Sequence, residues 1–175
     1  MSKTSKTNQR LKRATELSYY PLALNIKNKL AIVAGGGKVA LMKVKALDKA
    51  KAKVKIVAPE LIPELLKLKK KLRLEWIQRR IKASDLNGAI IAIAATSDEK
   101  ANKGVSNWAI KKNILVNVVD QPSLSNFISP AVLKKKEALI AVYTNGVSPP
   151  LSRDIKNFLN ERWDEFLLFR KTKKE

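Results

Sequence analysis

The consecutive residues Gly35-Gly36-Gly37-Lys38-Val39-Ala40 have the types and spacing of a phosphate-binding turn. They close an apolar β-type run, Leu30 to Ala34, and open a run compatible with a helix, Val39 to Ala50. In a G-x-G-x-x-A pattern at such a junction, the first glycine permits a tight turn and the second lets a pyrophosphate approach the backbone. The small third residue lets helix and strand pack closely. A helix starting there offers free N–H groups and a partial positive charge to an anion. The alternative is a tight turn with no ligand.

A dinucleotide site also needs a group for the adenosine ribose, normally a carboxylate about 20 residues beyond the glycines. The next strand, Val54 to Ala58, has no acid on its tip. Pro59 and Glu60 follow, so Glu60 is the one nearby carboxylate that could reach a ribose 2'-hydroxyl. Glu60 could equally start the following helix, where a carboxylate favours the helix dipole. With Lys38 and Lys43 near enough in sequence to meet an extra phosphate, the residues alone leave NAD and NADP both open.

These groups sit in an alternating order of elements. Lys29 to Ala34 predicts a strand, and a helix runs to about Ala50. After the strand at Val54 to Ala58, a helix is expected over Glu60 to Lys70 and a half-buried strand over Leu72 to Trp76. Turn residues Ser84 to Gly88 precede the apolar run Ala89 to Ala95; a helix over Asp98 to Lys111 then leads to Ile114 to Val119. This β-α-β pattern implies a parallel sheet covered on both faces, a Rossmann-like α/β fold whose ligands bind beyond the C-terminal strand ends. Gly35 to Gly37, Pro59, Thr96 and Asp120 are thereby expected along one crevice.

The pattern changes after Asp120. Phe127 to Leu133 and Ala138 to Thr144 read as an antiparallel hairpin, and Ser148 with Pro149 reads as the start of one final amphipathic helix carrying Leu151, Ile155, Phe158, Leu159, Trp163, Phe166 and Leu167. A hairpin with one helix buries little surface by itself, so a homodimer is expected. The implied organisation is a basic, disordered or loosely held extension over 1–18, a nucleotide-binding domain over 19–121, and a small α+β dimerisation and substrate segment over 122–175.

Composition narrows the chemistry. The 175 residues include no cysteine and no histidine, which removes thiolate nucleophiles, disulfides, Cys/His zinc sites and imidazole bases together. No run approaches the roughly 20 apolar residues of a transmembrane helix, and residues 1–13 lack a signal-peptide core. A soluble, cytoplasmic setting follows as the expectation. The net charge of +21 is concentrated before Arg13, over Lys67 to Arg80, and at Lys134 to Lys136. It suits either a polyanionic partner or a lysine-rich, solubilised surface. Aromatic residues interleaved with the basic ones are lacking, which argues against nucleic acid.

Taken in order, Tyr20-Pro21-Leu22-Ala23-Leu24, the glycine turn through Lys43, Ala94-Ala95-Thr96, Asn117-Val118-Val119-Asp120, Phe127-Ile128-x-Pro130-Ala131 and Asn145-Gly146-x-Ser148-Pro149 resemble the precorrin-2 dehydrogenase family, the N-terminal half of siroheme synthases. The resemblance covers Tyr20 to about Trp163. It implies an NAD-dependent oxidation of precorrin-2 to sirohydrochlorin, a dimer, and a cleft for a polycarboxylate tetrapyrrole that explains the basic charge without nucleic acid. Asp120 matches the family's catalytic aspartate; on residue grounds it could also be a turn residue before Pro122. Lys38, Val39, Pro59 and Glu60 match cofactor-contacting positions, and Thr96 one that lines the nucleotide, though on residue grounds Thr96 could instead cap the helix that follows. Asn126, Ser129 and Thr144 fall in segments that the resemblance implies should face the tetrapyrrole, and each could equally be a hydrogen-bonding residue at a hairpin end. Met42 departs from the family's usual arginine, Tyr143 to Gly146 from a segment richer in serine and glycine, and the C-terminal helical region is shorter. The shorter helical region puts metal insertion in doubt, and no metal ligand is assigned. The competing classes are a non-catalytic nucleotide-binding regulatory module and a basic nucleic-acid-binding protein.

Overall fold

The computed structural model describes residues 19–119, 121–136 and 138–172. The predicted extension over 1–18 and the candidate Asp120 lie outside the described residues. Two compact units are present, Pro21–Phe127 and a second made, among the described residues, of 19–20 and 128–172.

In the first unit, strands β1 (Leu30–Ala34), β2 (Lys53–Val57), β3 (Glu75–Ile77), β4 (Ala89–Ala94) and β5 (Leu115–Val118) form one parallel sheet in the order β3-β2-β1-β4-β5. Helices α1 (Lys38–Lys49), α2 (Pro63–Leu72) and α3 (Glu99–Lys111) make the crossovers. Strands buried on both faces explain the near-continuous apolar runs of β1 and β4. One core holds Ile32, Ala92, Val105, Ala109 and Val116; the other holds Val33, Ala40, Val44, Ile56, Leu65 and Ile93.

Helix α2 begins at Pro63 rather than at Glu60. A helix starting at Glu60 would need a backbone donor that proline lacks and would force Ile62 out of the extended conformation favoured before proline; Ile62 instead has φ −61° and ψ 153°. The helix runs on to Leu72 and ends at Arg73 in the left-handed region, so β3 starts at Glu75 rather than Leu72. Among the described residues, no helix is long and apolar enough to cross a membrane.

The division between units falls after Phe127, six residues later than the expected boundary at 121, because 122–127 are fastened to the outer edge of β5. The Asn126 side chain accepts from Val116 N–H at 2.7 Å through Oδ1 and donates to the Ile114 carbonyl at 3.2 Å through Nδ2, while its main-chain N–H donates to the Val116 carbonyl at 3.0 Å. Ser125 Oγ accepts from Val118 N–H at 2.8 Å. The buried Ser106 donates to the Leu124 carbonyl at 2.6 Å, and Asn117 Nδ2 donates to the Phe127 carbonyl at 3.2 Å.

The turn before β4 holds a bidentate pair: Arg79 donates to both oxygens of Asp85 at 2.7 Å, and Lys82 N–H adds a third bond to the carboxylate at 2.8 Å. Arg79 hydrogen bonding is the main reason the Asp85 carboxyl sits below its ordinary range, aided by Lys82. A depressed folded-state pKa stabilises the fold fully above about pH 4 and loses that contribution as pH falls through the folded value. Asp85→Asn should therefore cost about 1–2 kcal/mol at neutral pH, kept modest because the Arg79 side chain stays 37% exposed and can be rehydrated. Urea unfolding should show this gap narrowing below about pH 4; a gap independent of pH would refute the pairing.

The second unit contains the antiparallel pair β6 (Ala131–Lys134) and β7 (Leu139–Val142), with Ala131 opposite Val142, followed by α4 (Pro149–Glu161) and α5 (Trp163–Thr172). Ser148 caps α4, accepting from Leu151 N–H at 3.3 Å, with Pro149 in its first turn. The expected single helix is two: α4 ends at Arg162, whose side chain bonds Glu165 at 2.9 Å at the start of α5. The strands are also shorter than expected, since Phe127 packs in the first unit and Pro130 brings no N–H to a ladder.

Candidate functional site

The glycine turn sits where the tips of β1, β2 and β4 meet. Gly35 N–H donates to the Val57 carbonyl at 3.0 Å, and the adjoining Ala34 carbonyl accepts from Ala95 N–H at 2.8 Å. Gly35 has φ +126°, and a Cβ on it would run into the Ala95 carbonyl, so only glycine fits. Gly36 is held from the other side: its carbonyl accepts from Ile62 N–H at 2.9 Å, and a Cβ would overlap the Glu60 carbonyl. Gly37 differs. It is the N-cap of α1 in ordinary extended backbone, and nothing lies within 4 Å of where its Cβ would stand. No side chain caps this helix end and its first turn carries no acid, while Ala40 is fully buried against the sheet. Two glycines thus build the turn and the third leaves space at an uncapped helix N-terminus, an arrangement that fits a dinucleotide pyrophosphate.

Lys38 is exposed and Val39 half-buried in the first turn of α1. Pro59 and Glu60 are exposed just beyond β2. Since α2 begins at Pro63 with Glu64 as its first-turn acid, Glu60 is not a helix-starting residue; its backbone lies against Gly36 instead. The turn therefore has a carboxylate-bearing residue beside it.

Thr96 is tied inward. Its hydroxyl is 2.8 Å from Asn102 Oδ1 and 3.0 Å from the Asp98 carbonyl oxygen, and Asn102 Nδ2 donates to the Thr96 carbonyl at 3.0 Å. Asp98, not Thr96, caps α3, accepting from Ala101 N–H at 3.1 Å. The buried Asn102, absent from the sequence-based candidates, thus fixes the loop after β4. Its spacing from Val105 and Ala109 places it on the buried helix face, and that was its signal.

At the end of β5, Val119 N–H donates to the Ala94 carbonyl at 2.9 Å, and Gln121 N–H to the Val118 carbonyl at 3.2 Å. These are the residues on either side of Asp120. The exposed Asn126 belongs to the first unit, where its amide is engaged with β5. Ser129 and Thr144 line a cleft of about 250 Å³ in the second unit with Tyr143, Pro149 and Ser152. There the Thr144 hydroxyl lies 2.9 Å from the Ser148 carbonyl oxygen and 2.8 Å from the buried Ser152 Oγ. The described residues contain no group of three or more His, Cys, Asp or Glu placed to hold a metal ion.

Residues 22–131 match the sequence profile of a family described as "Putative NAD(P)-binding". The chain belongs to this NAD(P)-binding family. Siroheme synthase from Thioalkalivibrio sulfidiphilus is 40% identical over 141 residues, 81% of this chain and 29% of that protein. Siroheme synthase from Chromobacterium violaceum is 38% identical over 140 residues, 80% of this chain and 30% of that protein. The chain spans about three tenths of the length of these curated relatives. Among solved structures, SirC, a precorrin-2 dehydrogenase, superposes with a TM-score of 0.71 at 29% identity, over 82% of this chain and 71% of that one. The NAD(P)-binding family thus coincides with the unit that carries the glycine turn.

Proposed function

We propose that this chain oxidises precorrin-2 to sirohydrochlorin with NAD. The observation that carries the reading is the glycine turn, closed at Gly35 and Gly36 and open at Gly37; the similarity to SirC and to the siroheme synthases supplies the substrate. NAD, when bound, takes up the hydride removed from the tetrapyrrole. The backbone amides of the first turn of α1, at Lys38 and Val39, hold its pyrophosphate. Glu60 takes the ribose hydroxyls and favours NAD, because the 2'-phosphate of NADP would meet a carboxylate of the same charge. Asp120 accepts the proton that leaves with the hydride. Ser129 and Thr144 receive polar groups of the tetrapyrrole, and the surplus of lysine draws in a polycarboxylate from a cytoplasmic solution.

Two copies associate through the second unit. Only Leu133 and Ser152 are buried there among the described residues, while Val132, Leu139, Leu151, Phe158, Phe166 and Leu168 are each about half exposed or more. A hairpin and two helices with so little interior require a covering surface. Sedimentation at micromolar concentration should give a dimer, and Phe158→Glu should shift it to monomer; a monomeric parent protein overturns the association.

Anaerobic incubation with precorrin-2 and NAD tests the activity. NADH absorbance and the sirohydrochlorin spectrum should rise together. NAD binding without turnover would instead make the chain a regulatory nucleotide-binding module.

A further inference from the structure

We propose that Trp76 is a positioning residue for cofactor selectivity, acting through the Ala58 carbonyl to hold Glu60 beside the glycine turn. The inference rests on the cofactor reading above and adds a residue outside the glycine motif. Trp76 lies on the edge strand β3, opposite Ile56, and packs half-buried against the core beneath α1 and α2. Its indole Nε1–H donates to the Ala58 carbonyl at 2.9 Å. Ala58 is 2% exposed, and its N–H is used by the Ile77 carbonyl at 3.2 Å. The indole is what satisfies the buried Ala58 carbonyl, which would otherwise be an unpaired acceptor.

The next residue, Pro59, has a fixed φ and no donor, so the direction in which the chain leaves Ala58 is transmitted to Glu60. Glu60 then touches Gly36 through its backbone, and Ile62 N–H closes on the Gly36 carbonyl. The segment from Ala58 to Ile62 is anchored at both ends, by the indole on one side and the glycine turn on the other. Glu60 lies between the anchors. Removing the indole N–H frees one end while the pyrophosphate site at Gly37 keeps its own supports.

The test is a double-mutant cycle read by NAD and NADP titration of the full chain. Trp76→Phe keeps an aromatic ring and removes the donor; it should weaken NAD about fivefold, the scale of one hydrogen bond. It should leave NADP affinity nearly unchanged, so the preference narrows. In a Glu60→Ala background the same substitution should change NAD affinity by less than about twofold, since the group it positions is gone. An equal loss in both backgrounds, or none in either, overturns the proposal. If Trp76→Phe does not fold, site-specific benzothienylalanine, which replaces the N–H by sulfur in a ring of the same shape, takes its place in the cycle. Failure of the unsubstituted chain to bind NAD would overturn the cofactor reading and this inference together; loss of the coupling alone overturns only this one.

Discussion

Gly37→Leu should abolish NAD binding while leaving the protein folded. The three glycines separate these effects. A side chain at Gly35 or Gly36 collides with the backbone of Ala95 or Glu60, so substitution there damages the turn itself. At Gly37 the backbone is one any residue adopts, and an added Cβ meets no atom within 4 Å. A side chain starting there occupies the space in front of the helix N-terminus. Replacing an N-cap glycine by leucine costs about 1 kcal/mol or less of stability. Displacing a pyrophosphate from two backbone N–H groups forfeits about 3–6 kcal/mol, or about 100- to 20,000-fold in Kd. Calorimetric titration with NAD alongside thermal unfolding checks both halves; Gly36→Ala should lower the melting temperature far more. Native NAD affinity in the Gly37 variant would mean that the site lies elsewhere.

Asp120→Asn should keep fold and NAD affinity yet lower the rate of precorrin-2 oxidation by about a hundredfold or more, the scale of a lost general base. An amide keeps the shape and one acceptor oxygen but takes no proton at neutral pH. With no histidine in the chain, no imidazole is available to substitute. Its neighbours Val119 and Gln121 donate to the Ala94 and Val118 carbonyls, and the substitution alters neither bond's partners. A near-native rate would make water the proton acceptor. Loss of NAD binding or of the fold would make Asp120 a turn residue.

The cofactor-binding half was legible in the sequence because its signals are local. A strand, glycines at set spacing and a helix follow one another within about 20 residues, and the small Ala40 is where close packing demands it. Leu72, Leu74 and Trp76 misled because their alternation suits the end of a helix as well as a strand; the left-handed turn at Arg73 decides, and arginine does not announce it. The break at Arg162 has no proline or glycine to mark it either. Asn102 and Asn126 were illegible for a different reason. An asparagine amide can serve a ligand or a backbone equally well, and only the tertiary position of its partners, the Thr96 loop and the edge of β5, shows which backbone each amide holds.

The fastening of Ser125 and Asn126 onto β5 has a consequence for how this sheet meets its surroundings. A strand at the rim of a sheet ordinarily offers a row of open amides, where deuterium enters quickly and a foreign strand can dock. Here the rim amides of Val116 and Val118 are taken by side chains of the same molecule. They should exchange as slowly as amides in the middle of the sheet, and the rim is closed to edge-to-edge aggregation without the charges or bulges that such rims usually need.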